Sequence, residues 1–110
     1  MYTILHPKSS NVRAWQGHPN KDKWFIAIKG KFLVCWIKVD EFNNPSEILK
    51  AESLMLDAAK NKIIEISKGH ANGFKALEPY SEVMVFSFED SLLDKIRFHS
   101  DLWFNWKEYD

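Results

Sequence analysis

Short apolar runs separated by polar turn residues are the dominant pattern along this chain. The runs are rich in aromatic and β-branched residues and cover positions 12–16, 24–29, 32–40, 48–56, 62–66, 74–77 and 82–88. Strand-sized runs at a spacing of about 8–12 residues are typical of a β-sandwich or β-barrel. Residues 45–57 are the nearest candidate for a helix, but their apolar positions fit a 3.6-residue stripe poorly. The pattern therefore predicts an all-β fold.

The two ends of the chain differ in character from the predicted strands. Residues 1–10 are expected to form an N-terminal arm, and residues 101–110 form an aromatic C-terminal tail that includes Trp103 and Trp106. We expect this tail to pack back on the barrel or across a dimer contact, because such an apolar segment is costly to leave in water. Residues 90–95 are predicted to form one helical turn or a further edge strand.

Length and composition indicate one domain with a substantial core. The chain has 110 residues, 45% of them hydrophobic and 15% aromatic, and its 15 basic residues balance its 15 acidic ones. A nucleic-acid-binding role is not expected, because such proteins usually carry excess positive charge. The longest apolar run, 32–37, is too short to span a membrane. Residues 1–10 lack the pattern of a signal peptide, so a cytoplasmic location is expected.

The lone cysteine, Cys35, excludes an internal disulfide and a zinc site built from several cysteines. It lies within an alternating apolar run, and we expect it to pack in the core.

The segment 12–30 resembles the first motif of cupin barrels. That motif has two histidines one residue apart, a glutamate about four residues later and a glycine six residues beyond. Gln16 and His18 stand at the histidine positions, Lys23 at the glutamate position and Gly30 at the glycine position.

The segment 67–72 resembles the second cupin motif. A proline, a glycine and a histidine define that motif, and here Ser67, Gly69 and Asn72 occupy those positions. Two matches in the right order, on a chain of the right length, favour a cupin-type jelly-roll barrel forming a single domain over residues 1–110.

Further residues make the chain similar to the metal-free cupins that act on nucleotide-linked sugars, the dTDP-4-dehydrorhamnose 3,5-epimerases and sugar 3,4-ketoisomerases. Arg13 precedes the first histidine position by three residues, Gly73-Phe74 ends the second motif, and 96–101 resembles a late epimerase segment. The resemblance covers about residues 12–106. It implies a homodimer whose ligand, a nucleotide-linked sugar, lies inside the barrel mouth.

The chain departs from both enzyme classes at the catalytic positions. Gln16 replaces the epimerase base, and no tyrosine follows the strand at 83–88. The aspartate of the epimerase dyad would fall near Ser100 or Asp101, where His99 and Asp101 form a possible pair. The ketoisomerases have histidine at both motif positions, and His18 matches the second, which brings the chain closer to that class.

The remaining residues suit proton transfer on an anionic ligand. We expect His18 to act as the base and Lys23 to stabilise the oxyanion that develops on a ketosugar. Arg13 is expected to bind a diphosphate, and Trp15, Trp24 or Trp36 to stack on the ligand. Gln16 and Asn72 are further substrate-binding candidates. One imidazole beside an ammonium is a poor metal site, so no metal or other cofactor is expected.

Simpler interpretations remain open for the same residues. His18, between Gly17 and Pro19, is also compatible with a turn residue, Lys23 with an exposed strand lysine, and the tryptophans with core packing. Three functions follow: a nucleotide-sugar isomerase or epimerase in deoxysugar or surface-polysaccharide biosynthesis, a non-catalytic nucleotide-sugar-binding module that partners such an enzyme, and a purely structural partner.

Overall fold

The computed structural model describes residues 2–6, 11–87 and 96–109, and it forms two antiparallel β-sheets. The strands are β1 (Tyr2–His6), β2 (Val12–His18), β3 (Lys23–Lys29), β4 (Lys31–Lys38), β5 (Glu52–Asp57), β6 (Ile63–Ile66), β7 (His70–Ala76), β8 (Ser81–Phe86) and β9 (Ile96–Arg97), with 3₁₀ turns at Ala58–Lys60 and Trp106–Tyr109. One sheet has the strand order β1-β8-β3-β6 and the other β5-β4-β7-β2-β9. No α-helix occurs in these residues, so the all-β prediction is confirmed.

A tight turn at Gly30 joins β3 to β4 and therefore connects the two sheets. Gly30 has φ +74°, a conformation that favours glycine, and a Cβ there would overlap Ser81 Oγ. The Ser81 hydroxyl accepts a hydrogen bond from Lys31 N at 3.2 Å and donates one to Glu78 O at 2.8 Å. The serine thus fastens the start of β8 to this turn.

The main core lies between the two sheets. Alternate residues of β3, among them Phe25, and of β7, among them Phe74, point inwards and pack at a ring-centre distance of 6.1 Å. Phe32 of β4 packs edge-on against Phe74 at 5.8 Å. Because side chains alternate along a strand, these contacts define which residues face the interior.

A second core covers the outer face of the five-stranded sheet. There Trp15 of β2 packs against Trp103 and Trp106 of the tail, at ring-centre distances of 5.4 and 5.6 Å. Trp15 Nε1 donates to Leu102 O at 2.8 Å, and Trp103 Nε1 donates to Ser46 O at 2.8 Å. Of the two predicted positions for the tail, the structure shows packing against its own sheet.

Several predicted elements differ from the structure. Residues 2–6 form β1, paired with β8, in place of the expected arm. β5 begins only at Glu52, and the preceding residues 48–51 are irregular. β2 extends to His18, and β7 begins at His70. The predicted element at 90–95 lies outside the described residues. Within the described residues, no helix is long and apolar enough to cross a membrane.

Candidate active site

One end of the space between the sheets is lined by polar side chains from β2 and β7. Gln16 pairs with Asn72, and His18 pairs with His70, across these two antiparallel strands. Residues paired in this way project to the same face of a sheet. Asn72 lies two residues before the core residue Phe74 on β7 and therefore points to the same face. All four side chains thus belong to the inner face.

Lys23 approaches the same end from the opposite sheet. Lys23 lies two residues before the core residue Phe25 on β3, so the two side chains point to the same face. The short connection 19–22 joins it to His18. Lys23 and His18 are only 8% and 7% exposed. Lys23 Nζ donates to Ser87 Oγ at 3.5 Å. The structure therefore buries this imidazole and this ammonium on the inner side of the barrel, so Lys23 is not an exposed strand lysine.

Asn72 carries a buried acceptor with no partner. Its side chain is 1% exposed, and among the described residues none donates a hydrogen bond to Oδ1. Leaving a buried polar atom unpaired costs roughly 1–3 kcal/mol, which is seldom tolerated without a functional reason. The position suits a hydrogen-bond donor such as a sugar hydroxyl.

The two arginines of the chain, Arg13 and Arg97, line one cavity of about 320 Å³ at the edge between β2 and β9. Gln16 lines the same cavity and is paired with Arg97 across the two strands. Gln16 is thus the residue that this cavity shares with the polar inner face. Arg97 was not identified as a site residue from the sequence, although it lies in the late segment that resembles the epimerases.

A second residue that sequence reasoning left out is His70. It follows Gly69 at the start of β7, is partly buried, and is paired with both His18 of β2 and Lys38 of β4. Its place beside His18 becomes apparent only from the pairing of β7 with β2, two strands that are far apart in the sequence.

Trp36 is the tryptophan that faces the interior. It pairs with Asn72 across β4 and β7, contacts the main core, and donates from Nε1 to Glu52 Oε2 at 2.9 Å. Trp15, by contrast, is buried on the opposite face of the sheet with the tail. Trp24 is on the outer face of the four-stranded sheet, stacked on Phe86 at 6.0 Å. Of the three stacking candidates, only Trp36 is placed to meet a ligand in the barrel.

His99 and Asp101 do form the predicted pair, but outside the barrel. His99 Nδ1 lies 3.6 Å from Asp101 Oδ2, and both side chains are largely exposed. The backbone N–H of Asp101 also donates to His99 Nδ1 at 3.2 Å. The structure does not bring this pair together with His18.

A cavity of about 620 Å³ under the tail lies on the wrong side of the sheet for this site. It is lined in part by Lys75, Asp101 and Trp106. The Lys75 ammonium donates to Trp106 O at 2.9 Å and so holds the tail in place. Cys35 is buried on the same outer face, and desolvation raises its pKa from 9.0 to about 12, so its thiol is not a nucleophile at neutral pH.

The donor set at the polar end does not fit the metal that many cupins carry. The positions that usually ligate it hold Gln16, His18, Lys23 and Asn72, and an ammonium repels a cation. Within the described residues, no group of three or more His, Cys, Asp or Glu side chains gathers in one place.

Comparison with known proteins finds similarity in structure alone. No family model and no curated protein sequence matches the chain, whereas 63 solved chains match its structure. The dTDP-4-dehydrorhamnose 3,5-epimerase of Bacillus anthracis, solved with TDP and PPi bound, matches with a TM-score of 0.77 and 16% identity over 91% of this chain and 58% of that one. The TDP-quinovose 3,4-ketoisomerase of Campylobacter jejuni matches with a TM-score of 0.68 and 16% identity, over 98% and 71%.

The chain has the jelly-roll fold of these sugar epimerases and ketoisomerases. This confirms the fold expected from the two motifs. The chain spans 58% of the length of the epimerase. The fold also occurs in Drosophila melanogaster CENP-C, solved bound to CAL1, which matches with a TM-score of 0.60 and 17% identity over 77% of this chain and 61% of that one.

Proposed function

We propose that this protein binds a nucleotide-linked 4-ketosugar and isomerises or epimerises it by proton transfer next to the carbonyl, without a metal. The observation that carries the proposal is the burial of His18 and Lys23 at the end of the barrel that also holds Asn72 Oδ1, a buried acceptor to which none of the described residues donates. Polar groups at this depth are costly for the fold, and a ligand that uses them accounts for that cost.

The chemistry requires a base and a positive charge. In the proposed reaction, His18 removes the proton from the carbon next to the carbonyl, and the electron pair of the C–H bond forms the enolate. The Lys23 ammonium stabilises the resulting oxyanion, because a preorganised charge in a water-poor site acts strongly on developing charge. Gln16 and Asn72 hold sugar hydroxyls, and Trp36 packs on the sugar or base.

Arg13 and Arg97 provide a place for the diphosphate. Guanidinium groups match phosphate oxygens in fork geometry, and two of them beside one cavity concentrate positive charge on a chain whose net charge is zero. Because Gln16 borders both this cavity and the interior, a ligand with its diphosphate at the arginines extends its sugar towards His18.

We also propose that the functional unit is a homodimer formed through the outer face of the four-stranded sheet. That face carries the apolar side chains Trp24, Ile26, Ile28, Ile63, Met84 and Phe86. Ile63 is 58% exposed. Apolar side chains gathered on one sheet face are typical of a protein–protein contact, and a second copy offers the same self-complementary surface.

Deuterium exchange tests the enzymatic proposal. The protein is incubated in D₂O with dTDP-4-keto-6-deoxyglucose or its UDP counterpart, and deuterium next to the carbonyl is measured by NMR. His18→Ala is expected to lower exchange by about 10²–10⁴-fold, the usual contribution of a positioned acid–base group. His99→Ala, which removes an exposed histidine, is the control. Exchange that His18→Ala leaves unchanged would rule out His18 as the base.

A non-catalytic binding module is the second candidate, and Gln16 favours it because an amide cannot act as the base at that position. CENP-C bound to CAL1 is a precedent for protein binding by this fold. This alternative predicts that a nucleotide sugar raises the melting temperature of the protein while no proton exchange occurs at any pH.

A further inference from the structure

His70 offers the polar interior a second imidazole whose protonation pattern is set by the backbone. His70 Nδ1 lies 2.9 Å from Ser67 O and 3.4 Å from Lys68 O. A carbonyl oxygen only accepts hydrogen bonds, so Nδ1 must carry the proton. In the neutral ring this leaves the lone pair on Nε2, the form that accepts a proton from a substrate.

The strand pairing places His70 beside His18. The two residues are direct partners across β2 and β7, and Cβ atoms of such partners are typically about 4.5–5.5 Å apart. A backbone hydrogen bond also joins the two strands at this end, since Gly69 N donates to His18 O at 2.8 Å. His18 is buried, whereas His70 lies towards the rim. Two imidazoles thus lie at neighbouring positions on the inner face.

We infer that His70 moves the hydroxyl proton of the substrate while His18 moves the carbon-bound proton, which makes the reaction a migration of the carbonyl to the neighbouring carbon. The inference rests on the proposed function. Epimerisation leaves the carbonyl in place and needs no group to carry a hydroxyl proton. Carbonyl migration needs a group that carries the hydroxyl proton from one of the two neighbouring oxygens to the other.

The proposed turnover starts from a sugar with its carbonyl at C4 and a hydroxyl at C3, and every proton and electron pair is accounted for within it. His18 takes the C3 proton, the C–H electron pair forms the C3–C4 double bond, and O4 becomes an oxyanion beside Lys23. His70 Nε2 takes the O3 proton as the C3–O3 double bond forms, and the C3–C4 π electrons take the proton that His18 held, at C4. His70 then returns its proton to O4, and both rings regain their starting states.

Two readouts from one incubation separate the roles of the histidines. The protein is incubated in D₂O with dTDP-4-keto-6-deoxyglucose, and NMR follows both deuterium at C3 and appearance of the 3-keto product. His70→Asn keeps a side-chain N–H that can reach Ser67 O but has no titratable nitrogen. We expect this variant to lose carbonyl migration by about 10²-fold while deuterium exchange at C3 persists, since His18 is intact. His99→Asn is the matched control and should change neither readout.

The outcomes separate a failure of the role of His70 from a failure of the proposed function. Absence of exchange in the wild-type protein with every nucleotide ketosugar overturns the proposed function itself. Exchange with a 4-keto epimer as the only product, or normal carbonyl migration in His70→Asn, overturns the role of His70 alone. If the near-UV circular dichroism of His70→Asn shows a lost fold, His70→Gln takes its place in the same experiment.

Discussion

Gln16 and Asn72 are direct partners across β2 and β7, so two side-chain amides lie side by side on the inner face of the five-stranded sheet. Two neutral amides cannot drive proton transfer, but they have donors and acceptors enough to orient several hydroxyls. They lie between the arginine cavity and His18, and in the proposed function they orient the sugar there.

Asn72→Leu tests separately how this amide affects the stability of the fold and how it affects ligand binding. The substitution removes the unpartnered acceptor and replaces it with an apolar group of similar size, so we expect unchanged or higher stability, by up to about 1–3 kcal/mol. Stabilisation by a nucleotide sugar should be lost. Thermal unfolding with and without ligand measures both. A much less stable variant, or one with a full ligand response, would contradict a ligand-binding role.

Arg13→Gln and Arg97→Gln are each expected to weaken binding of dTDP by about 10–100-fold, because each removes a charge-assisted hydrogen bond to phosphate. Binding of thymidine, which has no phosphate, should not change. Calorimetry with both ligands measures the difference. Lys62→Gln, an exposed lysine on the connection before β6, serves as the charge-matched control. Equal loss of dTDP and thymidine binding would show that the arginines do not contact the diphosphate.

The proposed dimer face is tested by Ile63→Lys. A charge at this position would be buried at the contact, which is costly without a partner, so we expect the dimer to dissociate. Light scattering coupled to gel filtration gives the mass of each variant. Ile48→Lys is the control, because Ile48 is 87% exposed and lies in the irregular segment before β5. A wild-type monomer, or a dimer that Ile63→Lys leaves intact, would rule out this interface.

The sequence was sufficient for the fold class because alternation along single strands is a local property. His18 and Lys23 are candidates from the sequence because they lie at motif positions. The positions of His70 and Arg97 beside His18 and Gln16 depend on pairing between β2, β7 and β9, which no local pattern encodes. β1 was missed for the same reason, since its partner β8 lies at the other end of the chain.

Arg13 shows how one irregularity in a strand changes the face on which a residue lies. Strict alternation would place Arg13 and Trp15 on one face of β2 and Gln16 on the other. The pairing of β2 with β7 shifts in register between Arg13 and Gln16. Arg13 and Gln16 are therefore paired with Phe74 and Asn72, two inner-face residues of β7, while the indole of Trp15 packs on the outer face with Trp103.

Gly73 controls how closely the tail approaches this outer face. A Cβ at Gly73 would lie 2.6 Å from Ala14 Cβ and 2.9 Å from Trp106 Cζ2, both far inside normal contact. Gly73→Ala is therefore expected to lower the free energy of unfolding by about 1–3 kcal/mol, as overpacking of a core typically does. Denaturant unfolding followed by circular dichroism measures it.

The same substitution in a Trp106→Phe background tests the mechanism. The smaller ring removes the Cζ2 contact but leaves the one with Ala14, so Gly73→Ala should cost less there than in the wild-type chain. The difference between the two costs is the coupling between the residues, which is expected for groups in direct contact and absent for distant ones. Equal costs in both backgrounds would mean that the tail does not rest on Gly73. The anchoring of the tail would then fall to Lys75, whose ammonium binds the Trp106 carbonyl.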